Sequence, residues 1–400
     1  MKNFLHVLSR FTLPLALAAV ATACGGTVLL DGEPTPSPDG GPAPTPSGTV
    51  PTPSPSGSTP TVPPTPGACT TTPVTLATLP SRRAIGLALG SGYVAVLAEI
   101  TGPSVPPVAL RDVHMVPIVT REAPKNLGSA SPLTNTIEAR DKLVYFAQGT
   151  GIAEHDLTTG KTRQVTAAAG PFAVTGSDIL VATADTRSLP PQSTITAYPL
   201  GPITIAPRTI AKYVGEAASL SARGNEWGAV LTDGRVAQGA GSGDPVISMP
   251  RGARGPGHVT SAGFVVDERL TCAEATCNQA RVTYYPLSTT PTPAPPNAVP
   301  YTEAAFTTIQ AFFADDKGAV FHAAVASGEE LRAREAIVTH GGPGGTFATV
   351  LADTGRPVAA ITASNVVKDL ADFSCVYWVE TDTSDPAPGA ETTVVRMVKR

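Results

Sequence analysis

Charge is what this 400-residue chain has least of: Asp, Glu, Lys and Arg make up 15% of it, where a globular protein usually carries about a quarter. The net charge of −4, with no dense run of Lys or Arg, excludes the basic face of a nucleic-acid binder and a polybasic membrane patch. Aromatic residues are also scarce at 5%, and there are only five cysteines. The longest uncharged apolar run, Phe11 to Ala23, would reach only about 20 Å as a helix, short of a bilayer core of about 30 Å. Helical periodicity is nearly missing; Ser327 to Val338 is the best candidate, as one short helix or a strand edge. Absent too are G-x-S-x-G, S-x-x-K and H-E-x-x-H, so neither a serine nucleophile nor a zincin site has support.

What is abundant is turn chemistry. Forty-one prolines and 38 glycines suit many short strands joined by tight turns better than helices. Hydrophobic residues make up 42%, ample for a core. Thirteen of the prolines fall between Pro34 and Gly67, among Ser, Thr and Gly. A segment with so little apolar surface cannot offset the entropy of ordering, so residues 24–67 are expected to be a disordered, semi-extended polyproline spacer.

Ahead of that spacer, Lys2, His6 and Arg10 precede the apolar run and small residues follow it, the order of an export signal over residues 1–23. The closing "ATAC", Ala21 to Cys24, resembles the lipobox of bacterial lipoproteins, with Ala21 where that family usually has Leu. The resemblance implies cleavage before Cys24 and a lipid on its thiol. Gly25, rather than Asp, implies by the same resemblance an outer-membrane destination, periplasmic or at the cell surface.

From residue 68 onward a turn followed by a β-rich apolar run recurs. Its instances are "SGYVAVL" at Ser91, "DKLVYFA" at Asp141, "SDILVAT" at Ser177, "NEWGAVL" at Asn225, "AGFVVDE" at Ala262, "DKGAVFH" at Asp316 and "FSCVYWV" at Phe373. The mean spacing is about 47 residues, the length of one propeller blade. One block reads as four strands, Thr136–Ala139, Leu143–Ala147, Ile152–Asp156 and Thr162–Thr166, with turn residues between them. Residues 68–400 are therefore expected to form an all-β propeller of seven four-stranded blades. Six or eight blades fit the same length, and a pair of β-sandwiches is the competing architecture. "LADFSCVYWVETD", Leu370 to Asp382, resembles the turn and strand of bacterial propeller repeats of the YWTD and NHL groups. That likeness implies a fold and no particular activity.

Four cysteines remain in the exported part, and disulfides are their default. Cys272 and Cys277 flank four residues, a spacing that suits the tip of a long hairpin. Cys69 and Cys375 are then left; propellers usually close by adding an N-terminal strand to the last blade, and a Cys69–Cys375 bond would lock that closure.

Candidate chemistry is thin. The Gly-Lys-Thr of "TTGKT", Thr158 to Thr162, lies in an expected strand–strand turn and lacks the first glycine of a phosphate loop. "THGGPGGTF", Thr339 to Phe347, reads as a loop between outer strands. His114, His155, His258, His322 and His340 are scattered, and the acidic stretches at Glu154, Asp315 and Glu380 read as solvated turns. Trp227, Tyr284, Tyr285, Phe312, Phe313, Tyr377 and Trp378 fall in expected strands, one of each adjacent pair facing a blade interface. No catalytic, cofactor-binding or metal-binding residue is assigned. The expected function is a monomeric, lipid-anchored envelope propeller that binds or scaffolds a protein or glycan without chemistry. The alternative is a metal-assisted hydrolase or lactonase-like enzyme, with acidic and His side chains gathered at a central channel.

Overall fold

The computed structural model describes residues 69–102, 110–120, 122–200, 205–248, 252–261, 263–270, 279–287, 299–300, 309–326, 333–340, 348–354, 356–364, 375–385, 387 and 389–400. The expected export signal, Cys24, the proline-rich spacer, Cys272, Cys277 and the "GGPGGTF" loop all lie outside the described residues.

The described chain is all β. One sheet consists of β1 (Val74–Pro80) and the last three strands of the chain. The next holds β2 (Arg82–Gly90), β3 (Tyr93–Ile100), β4 (Arg111–Pro117) and β5 (Lys125–Ala130). Then follow β6 (Ile137–Arg140), β7 (Leu143–Gln148), β8 (Gly151–Asp156) and β9 (Lys161–Gln164). A third consecutive sheet is β10 (Phe172–Val174), β11 (Asp178–Asp185), β12 (Gln192–Pro199) and β13 (Arg208–Val214). β14 (Ala217–Arg223), β15 (Glu226–Leu231), β16 (Val236–Ala240) and β17 (Val246–Ile247) make the fourth. The fifth is β18 (Ala253–Thr260), β19 (Gly263–Leu270), β20 (Gln279–Tyr285) and β21 (Val299–Pro300). The sixth is β22 (Ile309–Asp315), β23 (Gly318–Ala326), β24 (Ala333–His340) and β25 (Ala348–Asp353). β26 (Val358–Ser364), β27 (Cys375–Asp382) and β28 (Thr392–Lys399) complete the first-named sheet, in the order β1-β28-β27-β26.

Every pairing is antiparallel, and each recurring turn-plus-strand segment of the sequence supplies the second strand of one sheet: β3, β7, β11, β15, β19, β23 and β27. The turns that lead into these strands need left-handed residues, and Gly92 (φ 79°), Asp141 (φ 50°) and Gly224 (φ 58°) supply them. The expected four-strand block is observed as β6 to β9, with ends shifted by one or two residues. The segment considered for a short helix contributes β24 from Ala333 on, and residues 327–332 lie outside the described ones.

The sheets form a closed ring, and the first strand of each is innermost. β2 packs on β6, β6 on β10, β10 on β14, β14 on β18, β18 on β22, β22 on β26, and β26 on β2 again. Seven apolar clusters fill the gaps, each shared by two neighbouring sheets. Sheets are therefore buried on both faces, which explains near-continuous apolar second strands in place of apolar–polar alternation. Tyr377 and Trp378 show the consequence. Tyr377 packs with Val94 and Val96 of the following sheet, and Trp378 with Val320 and Ile337 of the preceding one. Both partners of this aromatic pair are core.

Closure joins the two ends of the described chain. β1 pairs with β28 from Val74↔Met397 to Pro80↔Thr392, so an early strand becomes the outer strand of the last sheet. Beyond it, Thr70 O accepts a hydrogen bond from Lys399 N (2.8 Å). Cys69 then reaches β27 and forms the Cys69–Cys375 disulfide, Cα–Cα 6.0 Å. The all-β propeller expected from the sequence is the observed fold, closed by strand exchange between first and last sheets.

Candidate functional site

Several acids of this sparsely charged chain are buried within the sheets. Glu268, fully buried on β19, accepts from Arg281 Nε (3.3 Å) and Nη2 (3.2 Å), from Thr283 Oγ1 (2.8 Å), and from the Tyr285 hydroxyl. Glu380 stands at the equivalent place on β27, five residues past the start of the strand, and accepts from Trp378 Nε1 (2.7 Å) and Arg396 Nε (2.9 Å). Glu154 accepts from Arg163 Nε (2.7 Å), and both Asp178 oxygens accept from Arg208 (2.9 and 3.0 Å). That fork from Arg208 holds the Asp178 carboxyl below its usual range. Burial pushes the Asp112 carboxyl up, but its contacts with His114 and Arg82 outweigh burial and leave it low. Glu154 and Glu380 are thus buried ion-pair partners and not the solvated turns expected from the sequence. A buried carboxylate needs this many donors to offset its desolvation.

The histidines are dispersed as their spacing suggested. His114 and His155 sit on β4 and β8, the third strands of their sheets; His155 Nδ1 is 2.8 Å from Thr162 Oγ1. His322 on β23 is buried with Nε2 2.6 Å from Thr354 Oγ1, and burial lowers its pKa to about 4. His340 ends β24. Asp267, beside Glu268, is buried with Oδ1 lacking a hydrogen-bond partner, and burial raises its pKa to about 7. Of the Gly-Lys-Thr stretch, Gly160 ends the β8–β9 connection and Lys161 and Thr162 begin β9; in that connection Asp156 Oδ1 accepts from Thr158 N (2.8 Å), an ordinary Asx turn.

The central channel is a concavity of about 750 Å³, lined by the seven innermost strands. Its chemistry can be read tier by tier from the hairpin that ends each of those strands. The tier next to the hairpins is wholly apolar: Leu89, Ala139, Val174, Ala222, Val259, Ala314 and Ala363. One residue further in stand Ala88, Glu138, Ala173, Ser221, His258, Phe313 and Thr362, again one per sheet and all in the channel wall. Among the described residues, five ionisable side chains line the channel: Glu138, Arg223, His258, Asp315 and Asp316. Three of them stand at the hairpin rim and are paired there. Asp316 Oδ1 accepts from Arg223 Nη1 (2.6 Å) and from Ser261 N (2.7 Å), and Asp315 Oδ2 accepts from Arg400 Nη1 (2.6 Å).

The two mid-channel groups differ sharply. His258 packs against Phe312 and Phe313, ring centroids 5.4 and 4.9 Å apart, with Nε2 3.3 Å from Phe312 O. Burial lowers its pKa to about 4, so the ring is neutral at pH 7 and donates to that carbonyl. Glu138 is half-buried in the channel wall and makes no hydrogen bond or ion pair among the described residues; desolvation there raises its pKa to about 7. Its flanking wall residues on the neighbouring strands, Ala88 and Ala173, carry no donor. Sequence reasoning missed Glu138 entirely, and no local signal marks it. Among the described residues, no three His, Cys, Asp or Glu side chains cluster closely enough to share a metal ion.

No protein-family model and no curated protein matches this chain. Solved structures similar to it include the β-propeller domain of the Trilobed protease from Pyrococcus furiosus, at 7% identity and TM-score 0.47, covering 76% of this chain and 92% of that one. Saccharomyces cerevisiae Sqt1 is 10% identical with TM-score 0.42, over 82% of this chain and 100% of that one. Porphyromonas gingivalis dipeptidyl peptidase 4 is 11% identical with TM-score 0.40, over 79% of this chain and 51% of that one.

Proposed function

We propose that this seven-bladed ring is a non-catalytic binding or scaffolding module for a protein or glycan, carried on an envelope membrane by a lipid on Cys24. Residues 25–67 serve as the spacer between membrane and ring. The observation that supports a binding role is the placement of the ionisable side chains. Glu154, Asp178, Glu268 and Glu380 are each engaged by an arginine of their own sheet, and mid-channel Glu138 and His258 stand on different strands, Glu138 flanked by Ala88 and Ala173 and His258 packed on Phe312 and Phe313. General acid–base chemistry needs two such groups poised around one reacting centre, and a neutral His258 engaged with a backbone carbonyl does not supply the second. The Cys69–Cys375 disulfide fits an exported chain, since such bonds persist in oxidising compartments.

The test is affinity capture from detergent-solubilised envelopes, with mass spectrometry, comparing the wild type with Cys24→Ser. The expected result is one protein or glycan-bearing species recovered near one-to-one with the wild type and lost or depleted with Cys24→Ser. Recovery of no specific species with either form would refute the scaffolding role. A lipid-free Cys24 peptide in the membrane-extracted wild type would refute the anchor.

A further inference from the structure

We propose that the central channel is a binding site for a protonated alkylamine, its ammonium held by the Glu138 carboxylate and its aliphatic stem laid against Leu89, Ala139 and Val174. The inference deepens the binding-module reading by naming what the channel takes.

Three observations carry it. The channel, about 750 Å³, has the volume of a small-molecule site. Among the described residues its wall offers one unpaired carboxylate, because the two rim aspartates are engaged by Arg223 and Arg400. The surface beside that carboxylate is apolar on both flanks, with Leu87, Ala88 and Leu89 on β2 and Ala173 and Val174 on β10. A carboxylate enclosed without donors gains most from a cation that brings its own. An ammonium carries three donors. Each innermost strand is hydrogen-bonded on one side only within its sheet, so backbone carbonyls along the channel edge can accept the donors that Glu138 does not. A bare metal ion is a poorer fit, since no second acid stands in this tier to complete its ligands.

The proton on Glu138 competes with the ligand. The groups around it are few: Arg140 on the same strand, whose Nη1 donates to Thr175 O (2.8 Å), and Tyr145, its register partner on β7. β2 and β10 present no titratable side chain to this tier. Binding should therefore strengthen as pH rises through about 7, where the carboxylate ionises while an alkylamine remains protonated.

The ammonium has two natural sources, a free amine or a lysine side chain offered by another polypeptide, and the probes separate them. Hexylammonium chloride and the peptide acetyl-Ala-Ala-Lys-Ala-Ala-amide are each titrated into the full chain by calorimetry at pH 6 and pH 8, with hexanol as the uncharged control. Saturable one-to-one binding of hexylammonium is expected, stronger at pH 8, absent for hexanol, and weakened on the order of tenfold or more by Glu138→Gln, the loss of one charge-assisted hydrogen bond. Val174→Phe, which narrows the channel and leaves the charge, should weaken it as well. Tighter binding of the peptide than of hexylammonium would assign the site to a lysine; the reverse would assign it to a free amine. No binding of either probe, or binding unchanged by Glu138→Gln in a variant whose circular dichroism matches wild type, would overturn the proposal. Neither result bears on capture of an envelope partner, which the Cys24→Ser comparison reads independently.

Discussion

Opening the Cys69–Cys375 bond should cost this fold as much as a large core truncation, and the size follows from where the two cysteines lie. They are 306 residues apart. Loop-closure entropy for a cross-link of that span gives about 6 kcal/mol at 25 °C, a ceiling that measured disulfides seldom reach and often undershoot at 2–4 kcal/mol. The bond also sits where it matters for closure, because Cys69 leads into β1 and Cys375 begins β27 of the same sheet. In its absence β1 is held by its ladder to β28 and by the cluster around Leu79, Val395 and Met397. The cleanest perturbation is reduction of the wild type, which keeps both sulfur atoms in the core; Cys69→Ala with Cys375→Ala is the genetic counterpart and adds a small cavity. Trp227 and Trp378 are both fully buried, in different sheets, so urea unfolding can be followed by fluorescence, with Trp227→Phe isolating the signal of the closing sheet. With an m near 3 kcal/mol/M, the ceiling corresponds to a midpoint shift of about 2 M urea, and the usual range to about 1 M. Trp378 should report the loss first if closure opens before the rest of the ring. Oxidised and reduced protein unfolding within about 0.2 M of each other would refute the argument and leave strand exchange as the sole latch.

Two further outcomes test the packing. Asp267 has its folded pKa raised to about 7 from a usual 3.8; such a group favours the folded state below pH 3.8, and that advantage is lost progressively as pH rises to about 7. Asp267→Asn should remove this slope and be more stable than wild type by up to ~4 kcal/mol at pH 8, converging near pH 4, and parallel urea midpoints for the two proteins between pH 4 and 8 would contradict it. At Gly228 an added Cβ would lie 2.3 Å from the ring of Phe264, which is fully buried, so Gly228→Ala should cost about 1–3 kcal/mol through overpacking; an unchanged thermal midpoint would show that the ring can move aside.

Most of the fold is legible in the sequence because its signal is local. A tight turn followed by a β-branched or aromatic run marks the second strand of each sheet, and that strand is the most apolar, being buried on both faces; β3 is buried from Tyr93 through Ala98. First strands are harder to see. They run beside the channel, tolerate alanine and glycine, and break register near their start, as between Ala84 and Gly86, Ala217 and Ser219, and Val358 and Ala360. Closure was legible only through the fold: two cysteines at opposite ends of the domain mean little until a propeller tells them where to meet. Buried acids were misread for a related reason. Glu154 and Glu380 look like turn residues in the chain, while the partners that neutralise them, Arg163 and Arg396, are 9 and 16 residues on, across a hairpin that composition does not reveal.

The channel was not legible at all, since its wall takes one short segment from each of seven sheets and no two are neighbours in sequence. What the ring adds is a comparison among equivalent positions. At the tier of Ala88, Ala173, Ser221, Phe313 and Thr362 the sheets offer small, hydroxylated or aromatic side chains, and His258 is neutralised by burial. Glu138 departs from that pattern without any of the compensation given to Glu268, Glu380 or Asp178. If its place in the wall were all that mattered, an alanine like those of its two neighbours would be the less costly residue, because a half-buried carboxylate with no protein donor is carried at some expense of stability. Stability does not explain its presence, whereas a cation arriving from solution does, and exchanging Glu138 for Gln separates the two: a gain in stability together with a loss of amine binding is the joint result that only a ligand site predicts.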